Sequence, residues 1–173
     1  MRTIQMALVG VLAAGAASMS AHAQMIGGVD LSGGYTRFDL DDVELDGISV
    51  RGTVHATEYF GGELDVAFGV GDDEFGGATV ELDTNWGLFA RGDLPLSEMA
   101  ALFGRVGYVD QQISTTLGAT TTDDSQDGWA AGVGGEFFFM NNNGVRLDYT
   151  HYEFDDDSEE AISISYVRRL GGY

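Results

Sequence analysis

Residues 161–173 read AISISYVRRLGGY. Within them Ile162, Ile164 and Tyr166 alternate with Ser163 and Ser165, the period of a strand with one apolar and one polar face. In a chain that repeats this pattern many times, the partner of such a last strand is the first one. Pairing the two closes a barrel and removes both sheet edges. Tyr173 is out of phase with Tyr166 and Leu170, so the spacing predicts either a bulge or a strand that ends near Leu170 with a short tail.

Seven further strands are expected upstream. Their apolar faces are Val29, Leu31 and Tyr35; Ile48, Val50, Val54 and Ala56; Leu64, Val66, Phe68 and Val70; Val80, Leu82, Trp86 and Leu88; Leu102, Val106 and Tyr108; Trp129, Ala131, Val133, Phe137 and Phe139; and Val145, Leu147 and Tyr149. Val109 and Phe138 fall out of phase with this reading. The fold class is therefore all-β, an eight-stranded antiparallel up-and-down barrel.

The composition agrees. The 173 residues include 26 Gly, one Pro and no Cys, which describes a strand-and-turn protein without disulfide or thiolate-metal chemistry. Arg2, the apolar run Met6 to Ala17 and the Ala21-His22-Ala23 site predict an export signal over residues 1–23, cleaved to leave a barrel domain over 24–173. No later window has the roughly 18 apolar residues of a spanning helix, so any membrane crossing must be made by strands. The formal charge is −20 and every basic residue is Arg. Removing the signal makes it −21, which disfavours nucleic acid as a partner.

The connections sort into two kinds. Those after strands one, three, five and seven (residues 39–46, 71–77, 114–127 and 155–160) hold 16 of the 28 acids. Those after strands two, four and six (58–62, 92–98 and 141–144) hold only Glu58, Asp93 and Glu98. Alternate connections of an up-and-down barrel share an end, so one rim should be a ring of carboxylates and the other near neutral.

Alternation does not say which face is outside. Two features decide it. The polar face is small residues with acids and Arg: Asp30, Arg51, Asp65, Glu81, Asp83, Arg105, Glu136, Arg146, Asp148 and Arg169. That set suits a narrow interior of paired charges better than a water-facing exterior. The apolar face carries Tyr35, Trp86, Tyr108, Trp129, Phe137, Phe139, Tyr149 and Tyr166 towards strand ends, as interfacial girdles do, so a transmembrane β-barrel is expected.

A cleavable signal, eight alternating strands, short and long connections in turn and a C-terminal strand ending on an aromatic residue resemble the small outer-membrane β-barrels of Gram-negative bacteria, the OmpA-like, OmpX-like and opacity-type family. The resemblance covers the mature chain and is architectural, without a residue motif. It implies the cell outer membrane, a monomer, termini in the periplasm, acidic loops at the cell surface, and outer-membrane lipid and lipopolysaccharide as partners. The expected role is structural or surface-interacting, without catalysis or cofactor. The alternatives are a soluble periplasmic carrier with an apolar ligand cavity and a lipid A-modifying barrel enzyme. In the family's deacylases a His and a Ser two residues apart face the lipid, whereas here His151 is followed by Tyr152 and Glu153. His55 falls on the interior face, where a packing role outweighs a catalytic one.

Asp42, Glu44, Asp46 and Gly47 resemble the start of a calcium loop, but the later bidentate acid would fall on Thr53. No dedicated metal site is expected. Weak, collective binding of Ca²⁺ or Mg²⁺ is expected at Asp41, Asp42, Glu44, Asp46, Asp155, Asp156 and Asp157. Gly132, Gly134 and Gly135 lie within a strand with no helix after them, so close backbone approach explains them better than a phosphate cradle.

Overall fold

A computed structural model describes residues 28–40, 43–70, 72–75, 78–117, 120–140, 142–155 and 158–171. The strands are β1 (Gly28–Leu40), β2 (Val43–His55), β3 (Phe60–Gly69), β4 (Asp72–Phe75), β5 (Ala78–Ser97), β6 (Ala100–Leu117), β7 (Thr120–Met140), β8 (Asn143–Phe154) and β9 (Ser158–Arg169). Neighbouring strands pair antiparallel, β3 pairs with β5, and β1 pairs with β9 from Asp30↔Arg169 to Asp39↔Glu160. The result is a closed eight-stranded barrel in which the last strand meets the first. The short β4 is a ninth strand, paired only with the start of β5, and lies where a loop is expected over 71–77. The export signal and Tyr173 lie outside the described residues.

The expected acidic loops are also mostly strand. The β6–β7 ladder continues through Ser114↔Asp123, Thr115↔Thr122 and Thr116↔Thr121 to Leu117↔Thr120. Threonine's branched Cβ favours the extended chain, so the acids of 114–127 are carried on a hairpin rising beyond the barrel wall. At the other end β5 runs to Ser97, through a register irregularity at Pro95, where the sequence suggests a connection from Gly92.

Apart from the irregularities of β5 and the end of β7, the faces keep their phase along the strands, but their polarity exchanges part-way up. In the lower and middle barrel the outer face is exposed and apolar, with Ile48, Val50, Leu88, Val106, Leu147 and Ile164. The inner face there holds Ser49, Arg51, Arg105, Arg146, Asp148 and Ser165, all buried. Towards the acidic end the outer positions become Arg37, Asp39, Glu44, Asp127, Glu153 and Glu160, all exposed. The inner ones become a packed cluster of Phe38, Leu45, Leu82, Val109, Tyr152, Phe154 and Ala161. Val109 and Phe138 thus do not break the alternation; both are buried inside.

Leu82 corrects the expected apolar face of its strand. It points inward, 1% exposed, because a register shift between Leu82 and Thr84 flips the strand relative to Trp86 and Leu88. Asp83, expected among the inward charges, is half-buried at that irregularity and accepts the Ser114 hydroxyl at 2.6 Å.

Candidate functional site

The lumen is built around Glu63, a residue of β3 that the strand pattern does not single out. It follows Gly61 and Gly62 and resembles the end of a turn, yet the ladder begins at Phe60 and makes Glu63 an inward position, 0% exposed. Its carboxylate accepts from Arg146 at 2.6 and 3.0 Å, Arg105 at 2.7 Å, Arg91 at 3.2 Å and the Thr53 hydroxyl at 2.9 Å. The same arginines reach outward from it. Arg105 also binds Asp65 at 2.8 Å and Thr150 at 2.7 Å, Arg146 binds Asp148 at 2.8 Å, and Arg91 binds Asp93 at 2.7 Å and Glu136 at 2.9 Å. Arg51 joins Asp65 at 2.7 Å to Ser163 at 2.8 Å. A buried charge is tolerated only when paired and hydrogen-bonded, and here each guanidinium has several acceptors.

Phenylalanines inside the barrel serve the same charges. Arg91 and Arg146 lie 4.1 and 4.2 Å over the Phe103 ring, Arg105 lies 4.4 Å over Phe89, and Arg169 lies 4.1 Å over Phe138. These distances are those of cation–π contacts. The inward glycines of β7 make room for them. A Cβ on Gly134 would come within 2.5 Å of Phe103, and one on Gly132 within 2.7 Å of Thr150 and 3.2 Å of Arg105. Gly135 faces outward instead.

At the near-neutral end His55 closes the interior. Its Nε2 lies 3.1 Å from Asp30 and its Nδ1 3.4 Å from Asp93. Both ring nitrogens are engaged with carboxylates, and the expected packing role of His55 takes this form. His151 is on the outer surface, 3.3 Å from Glu153.

The acidic rim sits directly above a row of aromatic side chains and is hydrogen-bonded to it. Tyr35 donates to Asp46, Trp86 Nε1 to Asp110 at 3.1 Å and Tyr108 to Asp127 at 2.6 Å, and Tyr149 is hydrogen-bonded to Glu160. Trp129 meets Tyr108 edge to face at 6.0 Å. Tyr35, Trp86, Tyr108 and Tyr149 keep the ring in the apolar band and the polar atom in the carboxylate layer, the arrangement that favours Tyr and Trp at such boundaries. Arg37 bridges Glu44 and Asp46, both at 3.1 Å. The Tyr35 hydroxyl and then Arg37 hold the Asp46 carboxyl below its usual range.

Like charges nevertheless stand opposite one another. Asp39 is in register with Glu44 on one side and Glu160 on the other, and Asp110 with Asp127. Of the expected cation ligands, Glu44 and Asp155 are exposed and Asp46 half-buried at this end. Asp41, Asp42, Asp156 and Asp157 lie outside the described residues. Among the described residues no three His, Asp or Glu side chains converge as a metal site.

The barrel fold is shared with solved structures. Ail of Yersinia pestis superposes with a TM-score of 0.65 at 18% identity, over 84% of this chain and 100% of that one. The N-terminal β-barrel domain of Pseudomonas aeruginosa OprF gives 0.64 at 12%, over 83% and 98%. OprG of the same organism gives 0.65 at 10%, over 85% and 98%. Ail has also been solved with the heparin analogue sucrose octasulfate and in a phospholipid bilayer nanodisc. No curated protein sequence matches the chain. Residues 9–169 match the family described as outer membrane protein beta-barrel domain. With its apolar face outward, its charges sealed within and its aromatics at the boundary, the chain belongs to that family and is a protein of the cell outer membrane.

Proposed function

We propose that the barrel is a non-catalytic surface protein whose acidic rim faces the cell exterior and engages cations, divalent ions above all, that bridge it to lipopolysaccharide phosphates. The observation that carries this reading is the set of facing carboxylates, Asp39 with Glu44 and Glu160 and Asp110 with Asp127, placed just above the aromatic row. Like charges directly opposite on a sheet are destabilising. A cation shared between them, or between them and a lipid phosphate, relieves that repulsion. The strength expected is the millimolar end of calcium modules, since no loop supplies a complete ligand set. A sulfated polyanion, the kind of ligand seen on Ail, is disfavoured because the rim would repel it. The chain works as a monomer with a plugged lumen. The carrier alternative is disfavoured by the packed, charged interior.

The test uses the barrel in nanodiscs with and without lipopolysaccharide, followed by loop amide shifts. Millimolar Ca²⁺ should shift amides near Asp39, Glu44, Asp110 and Glu160, more so with lipopolysaccharide, where NaCl of equal ionic strength does not. Identical responses to the two salts leave only screening, with a Debye length of about 8 Å at physiological strength, and end the bridging reading.

A further inference from the structure

The outer wall of the barrel is indented near its neutral end by a shallow, open apolar groove of about 580 Å³. Its floor is Gly92 of β5 and Gly104 of β6, which pair in register. Neighbouring positions on the outer face carry large side chains, so two facing glycines leave the wall one side chain thinner there. Phe60 and Val133 flank the glycines along the same row, through the pairs Phe60↔Gly92 and Gly104↔Val133, and Leu94↔Leu102 forms the row towards the turn. The floor is open above its backbone. A Cβ on Gly92 or Gly104 would meet nothing closer than 3.9 Å. The glycines are thus not required by close packing, unlike Gly134.

The groove lies in the apolar band, so hydrocarbon covers it, and the turns that follow β2 and β5 lie at its end of the barrel. One is 56–59, where exposed Glu58 precedes Tyr59; the other is 98–99, with exposed Glu98. Among the described residues, the outward-facing Arg168 at this end belongs to β9, on the opposite side of the ring of strands. The charge around the mouth is therefore negative.

We infer that this groove takes one acyl chain of a phospholipid whose headgroup carries an ammonium, placed between Glu58 and Glu98. The occupant is a diacyl phospholipid of the leaflet at the neutral end, and this leaflet assignment rests on the orientation proposed above. Exposed carboxylate–ammonium pairs are weak, so the headgroup preference over an anionic phospholipid is about twofold to fivefold.

The experiment reconstitutes the full mature chain in nanodiscs of equal phosphatidylethanolamine and phosphatidylglycerol and ejects it for native mass spectrometry. One retained phosphatidylethanolamine is expected. Filling the floor with G92L/G104L, or with Gly104→Leu alone, should abolish retention. The control G33L/G52L, at outward glycines where a Cβ meets nothing closer than 3.8 Å, should keep it, with folding of all three checked by tryptophan fluorescence. E58Q/E98Q should keep a lipid and equalise the two headgroups. Equal retention by wild type and G92L/G104L overturns the site, and an unchanged preference in E58Q/E98Q overturns the headgroup assignment. Nanodisc leaflets are equivalent, so these results do not depend on orientation. Labelling of Thr120→Cys from outside intact cells tests orientation separately, and its failure would displace only the leaflet.

Discussion

Glu63→Gln removes the charge at the centre of the lumen while preserving the volume of the side chain. The native carboxylate accepts from three guanidiniums and the Thr53 hydroxyl, and it is fully buried. Each arginine keeps another acidic partner: Arg91 has Asp93 and Glu136, Arg105 has Asp65, and Arg146 has Asp148. No cation is orphaned, since the four arginines still face Asp65, Asp93, Glu136 and Asp148, but the central acceptor shared by three of them loses its charge, and glutamine's NH₂ is turned towards donors. Hydrogen bonds to charged groups contribute about 1.5–3 kcal/mol each. Glutamine retains a carbonyl acceptor, so the loss is partial, and breaking a buried charge set from one side costs about 3–5 kcal/mol. Urea unfolding of the barrel in phospholipid vesicles, read by tryptophan fluorescence and gel mobility, measures this. Arg105→Leu should lose a similar amount, and E63Q/R105L should lose less than the two singles added, because both changes remove the same Glu63–Arg105 contact. A Glu63→Gln barrel within 0.5 kcal/mol of wild type would refute the reasoning, as would unchanged unfolding of Arg51→Leu, Arg105→Leu and Arg146→Leu.

Eight strands leave an interior that side chains fill, and here an apolar cluster overlies the ion pairs. Purified barrel in planar bilayers should show no stable, large ohmic channels, and their appearance would contradict the plugged lumen. Gly134→Val should destabilise by about 1–3 kcal/mol, since its Cβ falls 2.5 Å from Phe103 and 2.6 Å from the Leu147 carbonyl, whereas Gly135→Ala, with nothing nearer than 3.5 Å, should unfold at nearly the wild-type urea concentration. Asp46 is held below its usual range, so its stabilisation of the rim is present above the ordinary carboxylate pKa and is lost as pH falls through the depressed folded value. Acid titration of the Tyr35 ring resonances should show this transition, and Asp46→Asn should abolish it. Lipid A mass spectra from cells with and without the protein should be identical if the barrel is non-catalytic.

The barrel was legible in the sequence because a strand has a strict period of two and every spanning strand meets the same pair of environments. The alternation of Ile162, Ile164 and Tyr166 with Ser163 and Ser165 already carries the apolar exterior, and the position of the acids carries the difference between the two ends. Arg51, Arg105, Arg146, Asp65, Glu136 and Asp148 were recognisable as interior charges on the same ground. The sequence could not show that polarity exchanges sides above the aromatic row. There the exterior becomes water and the interior becomes an ordinary apolar core, so Val109 reads as an error of phase when its phase is correct. A one-residue irregularity after Leu82 has the same effect, since shifting a strand by one position turns every later side chain to the other face. Glu63 was hidden by the two glycines before it. Its partners Arg91, Arg105 and Arg146 are 28, 42 and 83 residues away; Arg91 comes from the paired strand β5, and the curling of the sheet into a ring brings Arg105 and Arg146 to it across the lumen. Local spacing determines which way a side chain points, whereas which charges meet inside the ring depends on the register of all eight ladders at once.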